Sequence, residues 1–194
     1  YPGDEYAFKY TQYDSSKANK ILDGIMPKKG SDGFRVMSNG KTLDIEIGVV
    51  PAFGAWTDIA QLIVENWADI GVKAHVEVRE RTVHFAMRPA NELMSEVWNE
   101  DTTGFPFSGQ PKFDPRSDPA LTFAPLVAKW YATNGKEGVA PQPAIKRIVE
   151  IIDEAKTSSR NRQVALAKEL FSIWADNVYE IGTVGLTPMI QGVL

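Results

Sequence analysis

Residues 42–80 read TLDIEIGVVPAFGAWTDIAQLIVENWADIGVKAHVEVRE, and three hydrophobic periods succeed one another within them. Leu43, Ile45, Ile47 and Val49 alternate with polar or small residues, which is the period of a strand. From Thr57 or Asp58 the period changes. Ile59, Leu62, Ile63, Trp67 and Ile70 fall at helical spacing, closed by Gly71 just past the helix. Val72, Ala74, Val76 and Val78 then alternate with Lys73, His75, Glu77 and Arg79, a second strand. Strand, helix and strand of these lengths predict a right-handed βαβ crossover with a parallel pair, and so an α/β fold.

Upstream, residues 1–13 are aromatic and polar without a period. Asp14 is a good N-cap for a helix whose apolar face is Ala18, Ile21, Leu22 and Ile25, ending at Gly24 or by Pro27. Gly30, Gly33 and Gly40 place tight turns in SDGFR and SNGK before the first strand. Downstream, Thr82 is the expected cap of a helix through Val83, Phe85, Ala86 and Met87 that stops near Pro89. Leu93–Trp98 reads as a short strand and Leu126–Thr133 as a helix. Ile145, Ile148, Val149, Ile152 and Ala155 form one helix face. Val164, Ala167, Leu170, Phe171, Trp174 and Val178 form another, on a helix starting near Arg160. The terminal YEIGTVGLTPMIQGVL reads as a strand and turn broken by Gly182, Gly185 and Pro188. Trp67 and Trp174, on apolar helix faces, are expected in the core.

The 194 residues suffice for one domain with a real core, at 43% hydrophobic and 24% charged. A net charge of −4 argues against nucleic acid as a main partner, because phosphate binding needs a clustered basic surface. Cysteine is absent, which excludes disulfides, thiol catalysis and Cys-based zinc sites. No run of 18 apolar residues suggests a membrane span. The sequence starts at Tyr1 without a leader, so a processed product or a piece of something longer is expected.

Between Trp98 and Trp130 lies the least regular segment, with five prolines and several phenylalanines. Long ordered loops bearing rings and polar tips form recognition surfaces more often than cores. The candidate ligand-binding residues are Trp98, Asn99, Glu100, Asp101, Phe105, Phe107, Trp130 and Tyr131. Trp98 leads them because it ends a strand, and ligands gather at strand ends in open α/β sheets. No catalytic set is expected. Signatures such as GxSxG, HExxH, GxGxxG and the P-loop are missing, and Glu100 with Asp101 reads as an adjacent loop pair rather than an acid and base. His75 and His84 are expected to be solvated or structural, no metal site is expected from two histidines, and no cofactor is implied.

Several segments together resemble a known family. They are YDSSKANKILDGI (13–25), DGFRVMSNGKTLDIEI (32–47), ENWADIGVKAHVEVRERTVHFAMRPANE (65–92), WYATNGKEGVAPQPAIKRI (130–148) and YEIGTVGLTP (179–188). In this order they resemble the family 5 extracellular solute-binding proteins of bacterial ABC importers, which include oligopeptide-, dipeptide-, nickel- and some oligosaccharide-binding members. The resemblance implies a periplasmic-binding-protein-like lobe, with βαβ units and a mixed sheet flanked by helices. Residues 1–178 would be the second, C-terminal lobe of a two-lobed hinged protein, and residues 179–194 would return to the first lobe. Left without that cover, Ile181, Val184, Leu186 and Ile190 are expected to self-associate or to re-pair on the chain's own sheet.

The implied function is to capture a solute between lobes and deliver it to a membrane permease. The implied location is periplasmic or extracellular, including anchoring by lipid to the cytoplasmic membrane. Peptide-binding members carry an acidic residue just after the strand near Trp98, pairing with the ligand's α-amine. Here Asn99, Glu100 and Asp101 follow instead, and amide, carboxylate and indole suit a sugar's hydroxyls equally. Oligopeptide and oligosaccharide are both kept, and nickel fits less well with two His. The competing class is an α/β sensor or enzyme domain that binds a small polar ligand.

Overall fold

In the computed structural model, which describes residues 6, 8–52, 55–99, 105–107 and 111–182, the alternating run becomes strand β1 (Asp44–Val49). Ile47 and Val49 are buried at 3% and 0% exposure and face helix α2 (Trp56–Ala68). Strand β2 (Lys73–Val78) lies parallel to β1, with Asp44 opposite Lys73 and Val49 opposite Val78. Helix α2 starts at Trp56, earlier than the periodicity alone suggests. Its N-cap, Ala55, offers no side-chain bond, but Trp56 is buried and the ring packs 5.0 Å from Trp98. Here burial of an indole outweighs a missing cap, which is worth only about 1 kcal/mol.

Helix α3 (Arg81–Ala90) follows β2. Its cap is Glu80 rather than Thr82: the Glu80 carboxylate accepts from the backbone N–H of Thr82 at 2.7 Å and of Val83 at 3.3 Å. The helix runs through Pro89 and ends at Asn91, whose φ of 57° is left-handed. Strand β3 (Ser95–Val97) then pairs with the far side of β1, again parallel, giving the order β2-β1-β3. All three described strands are parallel; antiparallel pairing appears in two isolated bridges, Lys29 with Arg35 and Val36 with Thr42.

Asp14 does cap the first helix, α1 (Ser15–Ile25), accepting from the Lys17 N–H at 2.8 Å. The face expected to be buried is not: Ile21 and Ile25 are 55% and 69% exposed. The helix is held instead by Arg35, a residue that turn chemistry hides from sequence reading. Its guanidinium is fully buried. It donates to the Ile70 carbonyl (2.9 Å), the Met26 carbonyl (2.8 Å), Asp23 Oδ1 (2.8 Å) and Asn19 Oδ1 (2.8 Å). One side chain thus ties the end of α1 to the turn between α2 and β2.

The remaining helices are α4 (Pro125–Ala132), α5 (Pro143–Ala155) and α6 (Arg160–Asn177). α5 and α6 form an antiparallel pair around a second core of Phe113, Ile148, Ile151, Ala155, Leu166 and Leu170. Two details differ from the expected faces. Ile151 is fully buried while Ile152 is only partly so, and Leu166 is buried while Val164 and Val178 are 40% and 45% exposed. Phe113, delivered by a short 3₁₀ turn (Pro111–Phe113), packs on α5 and α6 and widens the arc of each helix that is covered. Trp67 and Trp174 are half-buried at the margins of their cores.

Carboxylates paired on this scaffold set its acid response. Lys73 and His75 hold Asp44 below the ordinary carboxylate range, Arg79 does the same to Glu46, and Arg147 to Glu169. A lowered folded-state pKa contributes stability that is fully present above the unfolded value, about 4, and drains away as pH falls through the folded value. Denaturant midpoints are therefore expected to be flat from neutral pH down to about pH 5 and to fall below about pH 4. A midpoint that rises on acidification would show that these pairs do not govern the response.

Candidate functional site

Beside β3 lies an open groove of about 590 Å³. One wall is Ser95 to Asn99 with Arg88; the opposite wall is Phe123, Trp174 and Val178 to Ile181. Ile47, Ile63 and Trp67 line it from the sheet and α2, so the groove separates the two cores.

Trp98 is half-buried at this groove, immediately after β3 ends and therefore at the C-terminal edge of a parallel sheet. Its ring is held from several directions. Trp56 lies 5.0 Å away, Phe85 meets it edge-on at 5.1 Å, and His84 stacks at 6.4 Å with planes 16° apart. The Arg88 guanidinium sits 4.9 Å from the Trp98 ring centre and 4.2 Å from that of Phe85, cation–π distances for both.

Glu96 fixes Arg88 in turn. Its Oε2 accepts from Arg88 Nε at 3.0 Å and Nη2 at 2.8 Å, and lies 2.5 Å from His84 Nε2. His84 is fully buried, as a structural histidine should be. It fits because β1 carries Gly48 at the contact; a Cβ there would lie 2.9 Å from His84 Cε1. The indole is thus held in place by an aromatic and ionic frame. Arg88, Glu96 and His84 were not among the sequence-predicted contacts. The only sequence signal was Phe85 and Arg88 three residues apart on one helix; the pairing with Glu96 is tertiary.

The predicted site residues do not all gather here. Asn99 joins Trp98 on the groove, exposed. Glu100 and Asp101 lie outside the described residues. Phe105 and Phe107 meet edge-on at 5.2 Å, with Phe107 packed on the α5–α6 core and the Arg160 guanidinium 4.1 Å from the Phe105 ring centre. Trp130 and Tyr131 pack edge-on at 5.0 Å on α4, and burial pushes the Tyr131 hydroxyl pKa up. His75 is half-exposed and bonded to Asp44 at 2.8 Å. Among the described residues no group of His, Asp and Glu could hold a metal ion, and no helix is long and apolar enough to cross a membrane.

No family model and no curated protein matches this sequence. Solved structures do. The chain is similar to an oligopeptide-binding protein, OppA, with a TM-score of 0.78 at 24% identity, over 91% of this chain and 30% of that one. It is also similar to the periplasmic binding protein MelB of Agrobacterium fabrum C58, in complex with stachyose (TM-score 0.69, 16% identity, 88% and 25% covered). A third is NikA of Brucella suis in complex with Fe(III)-EDTA (TM-score 0.64, 18% identity, 86% and 31% covered). The fold is therefore a periplasmic-binding-protein-like α/β lobe, and the chain spans about a third or less of the length of these three proteins.

Proposed function

We propose, on the premise of this shared fold, that the chain is the second, C-terminal lobe of the substrate-binding component of an ABC importer. Residues 1–178 make the lobe and residues 179–194 begin the return to the first. The protein works outside the cytoplasmic membrane, in the periplasm or tethered there by lipid, and hands its solute to a permease. The observation that carries the proposal is the placement of Trp98 and Asn99. Both stand at the C-terminal end of a strand in a parallel sheet, where α/β folds gather ligands, and the indole is locked by Arg88, Phe85 and Trp56.

The ligand class is an oligopeptide or an oligosaccharide. A fixed indole offers a stacking face, and Asn99 offers both a donor and an acceptor, with Glu100 and Asp101 next in sequence to supply carboxylates. The binding proteins of similar fold support either class, since one is named for oligopeptides and another holds stachyose. A hinged cleft would convert these exposed contacts into desolvated ones on closure.

One lobe supplies only part of such a contact set. Micromolar affinity corresponds to about −8 kcal/mol, and losing roughly half of it leaves millimolar binding or weaker. Isothermal titration of this chain alone against short peptides and oligosaccharides is expected to show no binding tighter than about millimolar. The full-length parent is expected to bind one of the two classes tightly, and Trp98→Ala there to weaken it at least about tenfold, near 1.4 kcal/mol. Micromolar binding by the lone lobe would overturn the two-lobe reading; undiminished affinity in the Trp98 variant would remove Trp98 from the site.

A further inference from the structure

The chain carries one short sequence twice, Asn39-Gly40-Lys41 and Asn134-Gly135-Lys136, and both asparagines are exposed. Asparagine before glycine is the least hindered setting for the next backbone nitrogen to attack the side-chain amide, because glycine brings no Cβ to block the approach. The fold places the two copies in different surroundings.

Asn39 sits in the hairpin turn between Val36 and Thr42, which pair as an antiparallel bridge. Gly40 is left-handed there, with φ of 81°, and nothing lies within 4 Å of where its Cβ would be. Asn39 Oδ1 accepts from the Lys41 N–H at 3.0 Å, which curls the side chain over the intervening Gly40 nitrogen. The same N–H is aimed at the oxygen on which negative charge develops during attack.

Asn134 has a different frame. The Gly135 N–H caps α4 by donating to the Trp130 carbonyl at 2.8 Å, and Trp130 Nε1 would lie 3.3 Å from a Cβ at Gly135. The Thr133 hydroxyl ties down the same turn, donating to the Lys129 carbonyl at 2.9 Å and accepting from the Glu137 N–H at 3.0 Å. The Gly40 N–H is also engaged, by the Met37 carbonyl at 2.9 Å. Releasing it opens only an exposed turn, whereas releasing Gly135 uncaps a helix and lifts an indole.

We propose that Asn39 is a self-modification site that converts to isoaspartate and aspartate, while the fold protects Asn134. The Gly40 nitrogen gives its proton to hydroxide and attacks Asn39 Cγ, forming a new C–N bond. The bond from Cγ to the side-chain nitrogen breaks, and that nitrogen takes a proton from water and leaves as ammonia. Water then adds to either carbonyl of the resulting succinimide, and the ring opens to aspartate or isoaspartate. Either product adds a negative charge, and isoaspartate also lengthens the backbone, in the turn that leads from Arg35 into β1. Asp32-Gly33 is an internal comparison. Asp32 Oδ1 likewise accepts from the Phe34 N–H, at 3.1 Å, but a carboxylate resists nucleophilic attack.

Trypsin would release these pairs on separate peptides, 30–35, 36–41 and 130–136. The test is peptide mapping of the full chain after timed incubation at mildly alkaline pH, both folded and unfolded in guanidinium. Unfolded, the two Asn-Gly-Lys copies are expected to react at like rates, since their local sequences match. Folded, Asn39 is expected to react at least about tenfold faster than Asn134, with both isoaspartate and aspartate formed and peptide 30–35 unchanged. Equal rates in the folded chain, or faster loss of Asn134, would overturn the proposal. Aspartate without isoaspartate at position 39 would overturn it too, because direct hydrolysis would then be the route.

Discussion

Arg35→Ala is expected to destabilise the chain by about 3–5 kcal/mol, a large share of a domain's total stability. The guanidinium is fully buried and satisfies two backbone carbonyls, Ile70 and Met26, as well as Asn19 and Asp23. Removing it strands the two carbonyls, a loss of about 1–3 kcal/mol for each acceptor left buried and unpaired. It also detaches α1, whose own apolar face is largely exposed and adds little. Lysine should not rescue the loss, since an ammonium cannot reach four acceptors in different directions as a planar fork does.

Asp23→Asn separates the ionic from the hydrogen-bonding contribution. Asp23's side chain is 61% exposed, so that change should lower stability by no more than about 1 kcal/mol. Urea titrations of the variants provide the check. An Arg35→Ala midpoint within error of the parent would mean that the clamp does not hold the fold.

Gly138→Ala is expected to lower stability by about 3 kcal/mol or more, an effect confined to special backbone sites and core cavities. At φ of 83° the residue is left-handed, and a Cβ there would lie 2.2 Å from the Leu126 carbonyl oxygen and 2.7 Å from the Trp130 nitrogen. Both obstacles are backbone, so neither can swing aside. The same carbonyl accepts from the Val139 N–H at 3.0 Å, while the Thr133 hydroxyl accepts from the Glu137 N–H at 3.0 Å and closes the turn. A methyl group would push the 133–139 turn off α4 and alter the environment of Trp130, so a shift in tryptophan emission should accompany the lower midpoint. Gly24→Ala is the matched control. It lies in α1 with nothing within 4 Å, and alanine there should raise stability by about 0.5–1 kcal/mol. Equal midpoints for both variants would refute the steric argument.

The sequence pattern revealed what depends on local period and missed what depends on distant partners. β1, α2 and β2 emerge because each turns apolar residues to one face at a fixed spacing, and the parallel pairing follows from the helix-bearing crossover. Asp14 was legible as a cap because capping is a contact three residues away. Glu80 displaced Thr82 because either residue type can accept the first-turn amides, and only the geometry selects the carboxylate. Arg35 looked like part of a polar turn, since its four acceptors come from positions 19 to 70. The α5 and α6 faces were misjudged at Ile151, Leu166 and Val164 because Phe113, far off in sequence and in an aperiodic stretch, helps decide which side is covered.

The candidate site followed the same rule. Trp98 could be singled out as a candidate because ligands gather at strand ends in α/β sheets. The frame of Arg88, Glu96 and His84 could not, because it forms only when α3 folds over β3. Phe107, Trp130 and Tyr131 carry the same aromatic signal in the sequence; the structure packs Phe107 against the α5–α6 core and sets Trp130 and Tyr131 edge-on to each other within α4.

The groove also has a thermodynamic meaning. The clusters around Ile47 and Ile148 share no buried side chain, so each half of the molecule keeps its own ledger of apolar burial. Truncations placed one in each cluster should therefore sum independently, whereas two placed within the same cluster should not.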